Sequence, residues 1–352
     1  MNIIVLAGGY SAERDVSMVS GSGAAMALKS KGHRVLLLDP YQSVESFGSY
    51  ESLYAAYGRD SYDCTIPRTE PDLAALKAAA GNGNDLLGKN VLRACKLADV
   101  VFVGLHGSYG ENGQLQAAFS LFDIRCTGSD HMGCMLSMDK AISKELMAAR
   151  GIRVPKSEEL LIGNMAADEF RAALAANKLP IVVKPCNGGS SLGVTIVKEQ
   201  ADIDRAMQYA QTYEDRVLVE EYITGREFTV GILDGAALPV LEIRPKQGFF
   251  DYANKYQADM TEEICPAPID GALAGQLQAI ALKAHKALRL GDYSRADFIV
   301  AESGEIYCLE VNSLPGLTPA SLVPKEAKAA GLAYEDLCER LVQLALKRKK
   351  AR

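Results

Sequence analysis

Near the C-terminal end, Arg295, Asp297, Glu310 and Asn312 lie in two apolar runs separated by Glu302-Ser303-Gly304-Glu305. A turn centred on Ser303-Gly304 sets Asp297 opposite Glu310 and Arg295 opposite Asn312. Residues two apart on a strand share a face, so all four side chains project to one side. Like charges directly opposed are destabilising, and such a pair asks for a cation. Two carboxylates and an amide oxygen form a hard-oxygen set suited to Mg²⁺ that bridges nucleotide phosphates. The competing reading is a solvent-facing hairpin in which Arg295 merely offsets the acids. The hairpin alone divides the two readings evenly.

A second feature tips that balance toward metal and nucleotide. Cys186-Asn187-Gly188-Gly189-Ser190-Ser191-Leu192-Gly193 follows a strand that ends at Lys184, and it leads into Val194-Thr195-Ile196-Val197. Glycines let backbone N–H groups approach phosphate oxygens. A Walker A loop would run Gly-Lys-Ser/Thr into a helix. Here a strand follows, so the loop joins two antiparallel strands and is expected to lie over phosphates as a flap, with the Lys184 ammonium facing their charge. Taken alone, the loop is equally a mobile surface hairpin.

These residues need elements to position them. From residue 1 to about 127 short apolar strands (3–6, 34–38 and 100–105) alternate with helices, which implies a parallel sheet flanked by helices. Ligands collect beyond the carboxyl ends of such strands, where Gly8-Gly9 and His106-Gly107 fall. Residues 40–98 read as an insertion of helices and loops. A second unit begins near residue 128, with helices at 139–150 and 166–177 and strands at 180–184, 194–197 and 217–222. A third has a strand at 227–233, a polar loop around 248–263, a helix at 275–288 and the carboxylate hairpin. The expected fold class is α/β, an N-terminal doubly wound parallel-sheet domain (1–128) followed by two further units, 129–220 and 221–352.

Composition narrows the class. The 352 residues are 48% hydrophobic and 23% charged, ordinary for a soluble globular protein. A net charge of −6 argues against nucleic acid as the main partner. The basic run 347–350 reads as a solvated helix end. Eight cysteines without a C-x-x-C pair, beside four histidines, argue against zinc and for reduced thiols of a cytoplasmic enzyme. No signal peptide or membrane-spanning run is expected. A dehydrogenase is set aside, because Gly-Gly-Tyr-Ser-Ala-Glu lacks the spaced third glycine of a dinucleotide loop.

In order along the chain, Lys184, the 188–193 loop, Glu220-Glu221, Glu227, Asp297, Glu310 and Asn312 resemble the pattern of ATP-grasp enzymes. A narrower resemblance is to the D-alanine–D-alanine ligases. Ala7-Gly8-Gly9 with Ser11-Ala12-Glu13-Arg14-Asp15-Val16-Ser17 is similar to their N-terminal motif. So are Leu105-His106-Gly107 with Gly110-Glu111-Asn112-Gly113, Ser137-Met138-Asp139-Lys140, and Phe250-Asp251-Tyr252 with Lys255-Tyr256. Glu310-Val311-Asn312-Ser313-Leu314-Pro315-Gly316-Leu317-Thr318 and Ser321-Leu322-Val323-Pro324 complete the match, which spans residues 6 to 324.

The resemblance implies that 129–220 and 221–352 are the two halves of an ATP-grasp fold. It implies ligation of two D-alanines through an acyl phosphate, with ATP, two Mg²⁺ (Mn²⁺ as a substitute), a homodimer, and a place in peptidoglycan precursor synthesis and cell shape. It assigns Lys140 and Lys184 to the ATP phosphates, Glu220, Glu221 and Ile223 to the adenine border, and Glu227 to the ribose. Asp297, Glu310 and Asn312 become the metal ligands. Arg295 and the Gly316 N–H become the oxyanion stabilisers. Glu13 would hold the first D-alanine's ammonium, with His106 nearby; read alone, Glu13 is a surface acid in a helix's first turn. Ser190, Tyr256 and Glu13 would link across the cleft, and Lys255 would bring charge to the transferring phosphate. Ser321 and Leu322 would bind the acceptor carboxylate; otherwise they are a helix cap and a core leucine.

For the acceptor, Tyr256 and Leu322 favour D-alanine, whereas Phe250 resembles D-serine-using relatives. D-alanine–D-serine ligation is therefore the near alternative. A non-catalytic nucleotide-binding protein of the same fold is the distant one, and the joint presence of Arg295, Lys255 and the three metal ligands opposes it.

Overall fold

The computed structural model describes residues 1–62, 64, 71–162, 169–170, 174, 178–189, 192–245 and 261–348. Strands β1 (Asn2–Leu6), β2 (Arg34–Leu38) and β3 (Val100–Val103) form a parallel sheet in the order β2-β1-β3. Their continuous apolar runs are buried, as expected for strands covered by helices. The Arg14–Ser30 helix lies so close to β1 that a Cβ on Gly21 would fall 2.2 Å from that of Ala7. That approach explains the small residues along this helix. Leu337, Leu341 and Val342 from the Tyr334–Lys347 helix join the same core, so the end of the described chain closes over the first sheet.

The second sheet is antiparallel. It comprises β4 (Ser157–Leu161), β5 (Ile181–Pro185), β6 (Thr195–Val197) and β7 (Arg216–Glu221) in the order β4-β7-β5-β6. Ile203, Ala206 and Ala210 on the Ile203–Gln211 helix pack into its core. The third sheet contains β8 (Gly225–Leu233), β9 (Ala236–Ala237), β10 (Leu241–Pro245), β11 (Thr261–Ile264), β12 (Tyr293–Ala301) and β13 (Ile306–Asn312). Its path is β11-β10-β8-β12-β13, with β9 paired to β8. Leu277, Ala281 and Ala284 of the Gly271–Ala287 helix meet Phe228, Val230 and Phe298 on the back of this sheet.

Several expectations change. The loop expected around 248–263 contains a strand at its end, since Thr261–Ile264 pairs antiparallel with β10. Its adjacent acids gave no strand signal; side-chain ion pairs offset their charge, Glu263 to Lys325 and Glu262 to Arg244. Strands β4 and β10 also lacked a clear pattern, and edge pairing defines β4. The run 100–105 ends as strand at Val103. The insertion at 40–98 holds helices Tyr50–Tyr57, Leu73–Ala80 and Val91–Cys95, the first closed by a capping box at Ser49. Most of the helix expected at 166–177 lies outside the described residues.

Candidate active site

The carboxylate hairpin brings its four residues together in the expected pairs, though through a different turn. Arg295 pairs with Asn312 and Asp297 with Glu310. The turn, however, spans Glu302, Ser303 and Gly304, with Gly304 at φ +85° and Ala301 bonded to Glu305. This three-residue loop pairs Val300 with Ile306 and Phe298 with Cys308. An extra residue, Leu309, is then absorbed as a bulge next to Asp297. Without it, Glu310 would fall on the opposite face of the sheet. The bulge also turns Leu309 into the cleft beside Glu310. It is gripped by Lys144, whose Nζ donates to the Leu309 carbonyl at 3.0 Å.

Asp297 is the hub of this face. Arg295 donates through Nε at 2.8 Å and Nη2 at 2.7 Å, Thr229 Oγ1 at 2.8 Å, and Asn312 Nδ2 at 3.1 Å. Burial works against the Arg295 charge, but the Asp297 carboxylate beside it keeps the guanidinium protonated above its ordinary range.

Opposite this face stands a lysine cluster built from distant segments. The two oxygens of buried Glu220, on β7, meet Lys184 Nζ of β5 at 2.8 Å and Lys144 Nζ at 2.9 Å. Burial raises the cost of the Glu220 charge, yet the two ammoniums hold its carboxyl below the usual carboxylate range. Lys140 opens the Lys140–Ala149 helix, where Asp139 caps Ile142 N–H and also binds Arg216. Its Nζ donates to the Gly188 carbonyl at the root of the glycine loop. Burial lowers the pKa of Lys140, opposed by the charge of Glu310. Lys144 was missed in the sequence reading, although it lies one helical turn beyond Lys140 and shares its face.

Two cavities meet at these groups. The first lies between the antiparallel sheets and takes in Lys140, Lys184, Glu220, Glu221, Ile223, Glu227, Asp297 and the apolar Val182, Ile243, Ile299 and Leu309. The second takes in Glu13, His106, Asn312, Gly316, Ser321 and Leu322. Gly189, Arg295 and Glu310 line both.

The strand ends of the first sheet shape the second cavity. Ser17 Oγ accepts from Gly8 N–H and donates to the Gly104 carbonyl, joining the ends of β1 and β3. Asp39 accepts from Gly9 N–H and pairs with Arg14 at 2.6 Å. Glu13 is buried at the N-cap of the first helix without capping it, so it is no surface acid. Gly107 sits at φ +68°, and a Cβ there would strike Glu13 Oε2 and Ser11 Oγ at 2.6 Å each. His106 Nε2 lies 2.8 Å from Ser20 Oγ, and its Nδ1 lies 3.5 Å from Glu111 Oε1. Glu111 lines the cavity too, and the sequence reading quoted it only as part of a motif.

Ser321 is the N-cap residue of the Leu322–Ala329 helix, yet its Oγ makes no capping bond. It accepts instead from Thr318 N–H at 3.1 Å. Leu322 packs with Leu241 and Ile243 while also lining the cavity. Ser190, Phe250, Lys255 and Tyr256 lie outside the described residues. Gly189, just before Ser190, comes close enough that its Cβ would stand 3.6 Å from Glu13 Oε2.

Asp297, Glu310 and the Asn312 amide present an all-oxygen donor set that fits a hard divalent cation. Among the described residues no group of three or more His, Cys, Asp or Glu gathers as a metal site, and all eight cysteines are free. No described helix is long and apolar enough to cross a membrane.

A cleft between two antiparallel sheets, bordered by Gly188 and Gly189 of the glycine loop on one side and by the carboxylate hairpin on the other, defines the ATP-grasp class. Residues 2–129 match the D-ala D-ala ligase N-terminus family and residues 146–343 the D-ala D-ala ligase C-terminus family. The chain is 40% identical to the D-alanine–D-alanine ligase of Pediococcus pentosaceus, over 97% of each chain. It is 37% identical to that of Maridesulfovibrio salexigens, over 99% of this chain and all of the relative. The solved Bacillus anthracis D-alanine–D-alanine ligase complexed with ATP superposes with a TM-score of 0.75 at 28% identity, covering 99% and 98% of the two chains. The VanG D-Ala:D-Ser ligase of Enterococcus faecalis gives 0.76 at 30% identity, covering 97% and 98%. The chain belongs to the D-alanine–D-alanine ligase family.

Proposed function

We propose that this protein joins two D-alanines into D-alanyl-D-alanine at the expense of ATP, supplying peptidoglycan precursors. The observation that carries this reading is the junction: Arg295 and Glu310 border both the nucleotide cavity and the cavity beside Glu13. A carboxylate held in one can there reach a phosphate held in the other.

In this reading Lys140 and Lys184 hold the ATP phosphates, with Glu220 orienting Lys184. Glu221 and Ile223 border the adenine, among apolar walls suited to a flat ring, and Glu227 takes the ribose hydroxyls. Asp297, Glu310 and Asn312 would hold Mg²⁺, which would neutralise charge on the transferring phosphate. Glu13 binds the ammonium of the first D-alanine near His106. An oxygen of that substrate's carboxylate attacks the γ-phosphorus, and the bond to the ADP oxygen breaks. The amine of the second D-alanine, its carboxylate held at Ser321 and Leu322, then attacks the acyl carbon. It gives up a proton, and inorganic phosphate leaves. Arg295 and the Gly316 N–H face the oxyanion of that step, where fixed donors act most strongly. Ser190, Tyr256 and Glu13 would link across the cleft, and Lys255 would bring positive charge to the transferring phosphate.

The reading extends to the three units 1–128, 129–220 and 221–352, to a cytoplasmic enzyme, and to a homodimer. Exposed Leu121, Phe122 and Met135 offer apolar surface for a second copy. D-serine as acceptor is the second reading, supported by the likeness to the VanG ligase. Leu322 weighs against it, although an apolar pocket rejects one hydroxyl poorly.

The test is phosphate release from Mg²⁺-ATP with D-alanine, D-serine or both, with products identified by mass. Release with D-alanine alone, yielding the dipeptide, is expected. A predominantly mixed product would move the acceptor to D-serine, and no release with ATP bound would overturn catalysis.

A further inference from the structure

The middle of β8 reads Glu227-Phe228-Thr229-Val230-Gly231, and its side chains alternate between the two faces of the sheet. Phe228 and Val230 enter the core behind the third sheet. Thr229 projects to the other face, where Glu227 and Asp297 line the nucleotide cavity. It is the direct strand partner of Asp297 and is fully enclosed. Directly opposed side chains on antiparallel strands come within bonding reach of one another. Thr229 Oγ1 lies 2.8 Å from Asp297 Oδ1 and 3.2 Å from the Ala296 carbonyl. A hydroxyl has one proton to give, and the shorter contact with the charged acceptor takes it.

Valine would fill nearly the same space, suits a buried strand and leaves no hydroxyl to satisfy. What the threonine adds is a hold on one carboxylate oxygen. Arg295 Nε also reaches Oδ1, while Arg295 Nη2 and Asn312 Nδ2 reach Oδ2. These donors are not equivalent. Arg295 faces the oxyanion in the proposed reaction and Asn312 belongs to the proposed metal set, so both have a second task. Thr229 has none. Its β-branched side chain is stiff about χ1, and a neutral donor leaves the carboxylate charge in place for a cation.

We infer that Thr229 is a positioning residue for Asp297: it fixes Oδ1, so that Oδ2, which Asn312 contacts, stays on the side of the other metal ligands. The inference rests on the metal role given to Asp297 above. Loss of such a partner behind a metal ligand weakens metal binding by about 10–100-fold.

The experiment compares wild type, Thr229→Val and Thr229→Ser by three measurements. These are Mn²⁺ binding to the ADP complex, read by water-proton relaxation, the Mg²⁺ dependence of phosphate release, and thermal unfolding without metal. Thr229→Val keeps the shape and loses the hydroxyl. Its Mn²⁺ affinity is expected to fall about tenfold, and the Mg²⁺ needed for half-maximal release to rise by about the same factor. Its KM for D-alanine should hold within about twofold, with a melting temperature near wild type. Thr229→Ser keeps the hydroxyl and loses a buried methyl, so it should melt lower while holding Mn²⁺ within about threefold of wild type. A packing role would give the opposite pattern, with metal affinity following the melting temperature.

Wild-type Mn²⁺ affinity in Thr229→Val overturns the proposal, and so does an affinity lost equally in Thr229→Ser. If Thr229→Val does not fold, the serine variant decides alone, retained affinity supporting the inference and lost affinity overturning it. A wild type that binds Mn²⁺ but releases no phosphate sinks the functional reading, and the Mn²⁺ comparison still decides on Thr229. A wild type whose ADP complex binds no Mn²⁺ removes the metal set and the inference with it.

Discussion

The two charged walls of the nucleotide cavity are held in opposite ways. On the hairpin, Arg295, Asp297 and Asn312 bind one another within two strands joined by a three-residue turn. On the facing wall, Lys144, Lys184 and Glu220 come from a helix and two strands well separated in sequence, and each is buried. A site on one hairpin inherits its geometry from pleat and register, so its parts cannot drift apart without unpairing the sheet. A site assembled from distant elements depends on each ion pair surviving desolvation. Lys144 spans the two, reaching Glu220 on one wall and the Leu309 carbonyl on the other.

The largest expected effect breaks the hairpin wall chemically while sparing its geometry. Glu310→Gln removes a charge but keeps the side-chain shape, and phosphate release should fall by about 10³-fold or more, as when a key electrostatic group is lost. Circular dichroism and melting should stay near wild type. Near-normal release would take the metal assignment away from this face.

A middle-sized effect breaks the bridge. Lys144→Met leaves the Glu220 charge half-compensated in the interior, which costs about 3–5 kcal/mol when one partner of a buried pair is lost. Urea unfolding should show that loss, and ATP affinity should weaken because Lys184 must then neutralise Glu220 alone. Unchanged stability would mean that the two walls are independent.

The smallest effect sharpens the comparison through pH. His285 packs behind β12, with Nδ1 2.8 Å from Ser294 Oγ. Burial, helped by Lys286, pushes its pKa down to about 4. Its folded value is depressed, so its contribution is present above the unfolded pKa and is lost as pH falls through the folded one. Between about pH 6.5 and pH 4 the unfolded chain takes up a proton that the folded chain refuses, at a cost on the order of 3 kcal/mol. Denaturant titrations at several pH values should show wild type losing more stability over that window than His285→Gln. Equal slopes would remove His285 from the account.

The hairpin wall was legible because period-two spacing carries face information along the chain. Even so, the predicted turn was off by one residue, and the Leu309 bulge restored the expected pairing. No residue type marks that bulge in advance; the Lys144 bond to its carbonyl is a tertiary contact. Lys184 was read from its place at the strand end before the glycine loop and Lys140 from motif resemblance, whereas Lys144 and Glu111 were passed over, although Lys144 follows Lys140 at helical spacing. Thr229 gave no signal at all, since only the pairing of β8 with β12 sets it against Asp297.

The sequence by itself determined the parallel first sheet, the glycine hairpin between β5 and β6, and the gathering of the carboxylates on one hairpin, because each follows from local periodicity and turn chemistry; the bulge that sets Asp297 against Glu310 does not. Only the tertiary structure decided which charges face which. It joined Glu220 to two lysines, set Glu13 beneath Gly107, and made Arg295 and Glu310 the shared border of two cavities. Burial and long-range pairing set those relations, and neither is a property of any short stretch of chain.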